Sequence, residues 1–168
     1  MKVVQYAEVV IIKQENISLI LDNTQIKNMF DMHNFQNETG GVIYGYKLVG
    51  LKEYRITGFT TPYQEDKVYR YNFERLDPNH LKSIKSLWVN DCTTMYLGDW
   101  HSHPSNHSSP SILDKNTWYK IATESKSGSS IYFFFIISKE ELLISAYNIR
   151  GKNIFSVKLK KIMFDSRI

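Results

Sequence analysis

Apolar positions recur along the chain with two periods, and the alternation between them lays out the elements. Residues 3–12 and 17–21 are rich in Val, Ile and Leu and read as strands. Ile26, Met29 and Phe30 then fall at helical spacing, which predicts a helix over 23–33, with Asp22 and Gln25 in the positions of a capping box. Residues 41–49 and 52–61 pair as strands about a turn near Gly50. A long polar segment with aromatic residues, 62–76, follows. Pro78 stands where a second helix begins, and Leu81, Ile84, Leu87 and Trp88 give that helix an apolar stripe.

The strand predicted over 94–100 runs directly into His101. A Ser-rich loop, 104–110, leads to Ser111, which is placed to cap a helix bearing Leu113, Trp118, Ile121 and Ala122. The unbroken apolar run 131–137 is the mark of a strand buried on both faces. Residues 142–149 and 153–159 complete the chain as strands about Gly151. The fold class is therefore α/β of the α+β type: a central mixed, largely antiparallel sheet flanked by helices. With 168 residues and neither a repeat nor a linker, residues 1–168 are expected to form one domain.

Composition narrows the function classes. The chain has 21 Lys and Arg against 17 Asp and Glu, a net charge of +4. That is too mild for the dense basic patch of a nucleic-acid binder, and the 14% aromatic residues are scattered, so no nucleic-acid partner is expected. No apolar run is long enough to cross a bilayer and no export signal is legible, so the expected setting is the cytoplasm, away from membranes. A single cysteine, Cys92, rules out an intramolecular disulfide and a cysteine-based zinc knuckle.

The candidate chemistry lies in Gly98-Asp99-Trp100-His101-Ser102-His103-Pro104 and Pro110-Ser111-Ile112-Leu113-Asp114. Histidines at i and i+2 on a strand point to the same side, because side chains alternate with period two. Two imidazole nitrogens and the Asp114 carboxylate, with a fourth position left to water, make the donor set of a catalytic zinc site. Taken singly, each residue has a plainer reading: a surface or core histidine, or, for Asp114, the acid of a capping box begun by Ser111. The two readings of Asp114 are compatible, since a capped first turn would hold a ligand in place. A zinc-held water needs a base, and Glu38, ahead of Thr39-Gly40-Gly41 and an apolar strand, is the candidate; alone it would read as a loop glutamate.

His101-x-His103, ten residues, then Asp114, with Pro104, Pro110 and Ser111 within the span, resembles the metal motif of the JAMM metallopeptidases, also called JAB or MPN-plus proteins. Glu38-Thr39-Gly40-Gly41 with Gly45 resembles the family's upstream glutamate and its strand. The resemblance implies a JAB/MPN domain of cytidine-deaminase-like architecture and one Zn2+ per chain with a catalytic water. It implies His101, His103 and Asp114 as zinc ligands, Glu38 as general acid/base, and Ser111 as a donor to the oxyanion. The bond cleaved would be an isopeptide or peptide bond after the C-terminal tail of a ubiquitin-like protein.

The 98–104 string with Trp118 is similar, more narrowly, to the small bacterial JAB proteins of CBASS antiphage operons. These reverse the conjugation of a cyclic-nucleotide synthase (CD-NTase) to targets by an E1/E2-like enzyme. The implied partners are thus an extended CD-NTase-type or ubiquitin-like tail and, functionally, that conjugating enzyme. Asp99 stands where that group is expected to carry glutamate. The alternatives are processing of a sulfur-carrier protein and a non-catalytic MPN interaction module. His107 matches no ligand of the motif, His33 and His80 read as helix-surface residues, and Trp100 and Trp118 read as core.

Overall fold

The computed structural model describes residues 1–32 and 36–165. Among them nine strands join one sheet: β1 (Lys2–Gln5), β2 (Val9–Gln14), β3 (Ile17–Asp22), β4 (Gly40–Lys47), β5 (Lys52–Phe59), β8 (Met95–Ser102), β9 (Ile131–Ile137), β10 (Glu141–Asn148) and β11 (Asn153–Lys160). Their spatial order is β1-β2-β3-β5-β4-β8-β9-β10-β11. Neighbours are antiparallel except at β3/β5 and β8/β9, so the sheet is mixed and largely antiparallel, as the sequence predicts. The strands β6 (Lys67–Val68) and β7 (Phe73–Glu74) form a separate hairpin. The helices are α1 (Asn23–Asp31), α2 (Asn79–Asp91), α3 (Ile112–Glu124) and the short α4 (Ile162–Asp165).

The sheet separates two cores. Ile131, Phe133, Phe135 and Ile137 of β9 face one side, where α1 contributes Ile26, Met29 and Phe30 and α4 contributes Phe164. Tyr132, Phe134 and Ile136 face the other, where α2 contributes Ile84 and α3 contributes Trp118 and Ala122. Every β9 side chain is buried, which is why its sequence shows no polar alternation.

β8 carries a bulge. Ile43 of β4 pairs with Gly98 but Tyr44 pairs with Tyr96, leaving Leu97 as an extra residue. The faces confirm it: Leu97 and Trp100, three apart, lie in the same core. Gly98 adopts φ +145°, and a Cβ there would stand 1.8 Å from the Phe133 carbonyl oxygen, so only glycine lets β8 approach β9.

Several expectations change. The strand expected over 3–12 is a hairpin, β1 and β2, whose turn is closed by Tyr6 N–H donating to the Val9 carbonyl; without Gly or Pro the turn left no mark in the sequence. Asp22 does sit at the N-cap of α1 but makes no capping bond. It accepts instead from Arg55 on β5 at 2.8 Å, a charge-assisted bond that outcompetes a neutral amide, while Gln25 donates to the Thr57 carbonyl. His33 lies outside the described residues.

His80 is wholly buried, not on the surface, and α2 turns about a line through His80 and Ile84. Leu81 and Trp88, expected in the apolar stripe, are about half exposed. The ring is buried because both nitrogens are satisfied. Nε2 lies 2.6 Å from Asp66 Oδ2, and Nδ1 is hydrogen-bonded to the Thr60 hydroxyl. Cys92 is exposed, in the left-handed conformation that ends α2.

Gly98→Ala is expected to destabilise the protein by roughly 2–4 kcal/mol, the combined cost of a disfavoured φ and overpacking against β9. Urea unfolding followed by tryptophan fluorescence measures it; an unchanged midpoint would remove the bulge glycine from the account.

Candidate metal and catalytic site

Three segments converge at the end of β8. His101 pairs with Gly40 of β4 on one side and Ile136 of β9 on the other. His103, just past the strand, is held by its N–H donating to the Ile137 carbonyl at 2.8 Å. Both histidines lie on the α3 side of the sheet, since Trp100 between them and the bulge points into the opposite core. Trp100 is fixed there by its indole N–H, which donates to the Thr60 carbonyl.

The chain then crosses over through α3 to reach β9, which runs parallel to β8. The loop 104–110 is tied to the β9–β10 turn: Ser108 donates through N–H and Oγ to Glu141, and Ser138 Oγ donates to the Asn106 carbonyl. His107 is exposed in this loop, away from the convergence. Ser111 caps α3, its Oγ accepting from the Asp114 N–H at 3.0 Å while the Asp114 carboxylate accepts from the Ser111 N–H at 2.6 Å. The capping box expected from the sequence is complete. Trp118, one turn beyond Asp114, stacks on Phe134 with ring centroids 5.4 Å apart, which seats α3 on the sheet.

The result is a tight cluster. His101 Nε2 lies 3.1 Å from His103 Nε2 and 3.1 Å from Asp114 Oδ1, and His103 Nε2 lies 3.5 Å from Asp114 Oδ2. Tetrahedral zinc with bonds of 2.0–2.1 Å needs ligand atoms about 3.3 Å apart, and these edges bracket that value. The two imidazoles and Asp114 could therefore hold one zinc ion. Glu38 stands further off, its Oε1 3.8 Å from His103 Nε2, a distance suited to a group acting beside the ion. Glu38 can also be grouped with the two histidines as a metal-binding set, but Asp114 lies nearer to His103 Nε2, at 3.5 Å against 3.8 Å, and also reaches His101 at 3.1 Å, so it is the better third ligand.

The electrostatics divide the two carboxylates. Burial alone would raise the Asp114 carboxyl, but hydrogen bonds from His101, His103 and the Ser111 N–H hold it far below the carboxylate range. Glu38 goes the other way: burial raises it, and the attraction of His101 and His103 offsets this only in part. One acid is thus kept ionised and the other brought toward proton exchange.

Sequence reasoning missed the groups that hold Glu38. Its N–H donates to the Tyr69 carbonyl at 2.7 Å. The next residue, Thr39, donates its N–H to Ser102 Oγ and accepts from the Ser102 N–H. Ser102, between the two histidines, was legible in principle, because period two turns it away from the site. Tyr69 gave no signal, since its contribution is a backbone atom. Asp99 accepts from the Tyr96 hydroxyl and Arg75 and is not among the converging groups. A cleft of about 430 Å³ opens beside the cluster, lined in part by Glu38, Phe73, Arg75, His101, Leu113 and Asp114.

The chain belongs to the family described as prokaryotic homologs of the JAB domain (Prok-JAB), whose profile matches residues 29–152. Curated relatives carry the name CD-NTase/cGAS isopeptidase. One from Pseudomonas aeruginosa is 33% identical over 88 residues, 52% of this chain and 54% of that protein. One from Escherichia coli is 30% identical over 95 residues, 55% of this chain and 60% of that protein. This chain therefore matches little more than half the length of either. A third, from Vibrio cholerae, is 22% identical over 129 residues, 74% of this chain and 81% of that protein. The solution structure of protein DSY2949 from Desulfitobacterium hafniense shares the fold, with TM-score 0.56 and 20% identity, covering 82% of this chain and 88% of that one. No helix among the described residues is long and apolar enough to cross a membrane.

Because the folded Asp114 carboxyl is depressed, its contribution to stability is full above the unfolded value near 3.9 and is lost as pH falls below it. In metal-free protein the thermal midpoint is expected to drop steeply below about pH 4. Asp114→Asn should flatten that acid limb; parallel limbs in melts from pH 3 to 6 would contradict the assignment.

Proposed function

We propose that this protein is a zinc-dependent isopeptidase. It cleaves the amide bond that follows the extended C-terminal tail of a ubiquitin-like-conjugated protein, releasing a CD-NTase-type protein from its targets in bacterial antiviral defence. The observation that carries this reading is the convergence of His101, His103 and Asp114 at zinc-ligand spacing, with a Glu38 carboxyl raised by burial beside them. The relatives named CD-NTase/cGAS isopeptidase support the substrate class.

His101, His103 and Asp114 hold the ion. When bound, zinc supplies Lewis acidity, which polarises the scissile carbonyl and makes water easier to deprotonate at neutral pH. Glu38 takes the proton from the attacking water and delivers it to the departing amine nitrogen, so one carboxyl serves as base and then acid. The Ser111 hydroxyl, whose oxygen already accepts from the Asp114 N–H, keeps its own hydrogen to donate to the developing oxyanion. An extended tail lies in the cleft as an added strand, main-chain pairing setting its register. An E1/E2-like conjugating enzyme supplies the amide that this protein removes.

Glu38→Gln is expected to lower cleavage of a CD-NTase–target conjugate by at least about 10²-fold while leaving the fold and bound zinc intact. Metal analysis should give one zinc per wild-type chain, lost in His101→Ala. Unchanged turnover in folded Glu38→Gln protein, or metal-free wild-type protein that cleaves and is indifferent to chelators, would refute the proposal.

A further inference from the structure

Outside the cluster of His101, His103, Asp114 and Glu38, the described residues include a fully shielded His–Asp pair that joins three parts of the chain. The side chains of His80 on α2 and Asp66 in the segment after β5 are both fully shielded from solvent. Burial alone would raise the Asp66 carboxyl, but the Asp77, Tyr63 and Leu76 amides and the His80 ring hold it below its ordinary value. An ionised carboxylate only accepts, so His80 Nε2 carries the proton of their 2.6 Å bond. The other ring nitrogen shares a hydrogen bond with Thr60 Oγ1. Tyr63 packs edge-on against the imidazole, with ring centroids 4.7 Å apart, and its hydroxyl is hydrogen-bonded to Ser83 of α2.

Each arm of this network leads toward the catalytic groups. Thr60 Oγ1 accepts from the Val42 N–H on β4, the strand that follows Glu38, and the Thr60 carbonyl accepts from Trp100, beside His101. Asp66 accepts from the amides of Tyr63, Leu76 and Asp77 and so gathers both ends of the segment carrying the β6–β7 hairpin. That hairpin supplies the Tyr69 carbonyl to which Glu38 N–H donates, and Asn72, Phe73 and Glu74 to the cleft wall. The hairpin itself is short, two residues in each strand, and its strands pair only with each other. It cannot hold its own position against Glu38 by strand pairing with the main sheet.

We propose that His80 is a positioning residue for Glu38: by bridging Asp66 and Thr60 it latches the β6–β7 hairpin over the cleft and thereby fixes the base. This rests on the catalytic role proposed for Glu38. It assigns His80 no contact with substrate or metal. The bridge is buried, so losing His80 leaves the Asp66 carboxylate without this donor and the Thr60 hydroxyl without its ring partner, and frees the hairpin.

The test is amide hydrogen exchange on His80→Ala protein, read alongside conjugate cleavage and zinc content. Exchange of residues 67–76 should speed by at least about tenfold while β9 and β10 keep their protection. Cleavage should fall by about 10- to 100-fold through kcat, the size expected of a misplaced base, with zinc still bound. If His80→Ala does not fold, His80→Gln, which retains an N–H near the position of Nε2, takes its place, and the same local loosening is expected. Unchanged exchange at 67–76, loosening spread through β9 and β10, or a loosened hairpin with full activity would each overturn the proposal. Should wild-type protein cleave no conjugate, the isopeptidase reading fails on its own, and the exchange pattern still decides whether His80 latches the hairpin.

Discussion

The parallel pairing of β8 with β9 is the constraint on which the site depends. Parallel neighbours cannot be joined by a tight turn, so the chain must leave the end of β8, cross the sheet and return. The helix that makes this crossing is α3, and its first turn lies over the strand end from which it departed. His101 and His103 stand on the strand and Asp114 on the first turn of the helix. Ten residues lie between the last histidine and the aspartate in sequence, yet the crossover brings them to within 3.5 Å. The stacking of Trp118 on Phe134 and the paired Ser111–Asp114 cap fix the helix against sliding or fraying, so that the carboxylate does not drift from the imidazoles.

That geometry also gathers groups that would not assemble in water. Two carboxylates and two imidazoles occupy a space a few ångströms across, partly shielded from solvent. The conflict is eased by asymmetry. Asp114 accepts hydrogen bonds from both rings and from a backbone amide, and so favours its charged form, whereas Glu38 is desolvated more than it is compensated. This asymmetry suits the site to the cation-binding and proton-transfer roles proposed for it.

Much of this was legible in the sequence because local rules and tertiary outcome agree. β9 reads as doubly buried and is; the Ser111–Asp114 box reads as a cap and is; the spacing of His101 and His103 puts both on one side, and the structure places their Nε2 atoms 3.1 Å apart. Two of the failures share a physical cause, a polar side chain bonded to a distant partner. Asp22 abandons its cap for Arg55, and His80 turns inward because Asp66 and Thr60 meet it there. A helical wheel scores His80 as polar and Leu81 as apolar; the distant partners reverse their exposure. The turn between β1 and β2 and the carbonyl of Tyr69 are backbone features, which side-chain patterns do not encode.

The extra residue at Leu97 has a consequence for how this strand can change over evolutionary time. Upstream of it, side chains keep one parity relative to β4; downstream they keep the other. Deleting a single residue there would bring Trp100 and Ser102 round to the cleft and send both imidazoles into the hydrocarbon layer beneath. Substitutions along β8 can be sampled one at a time, but its length cannot vary by one without exchanging donor atoms for indole. The insertion therefore behaves as a parity lock, and drift in strand length is confined to compensated pairs of changes.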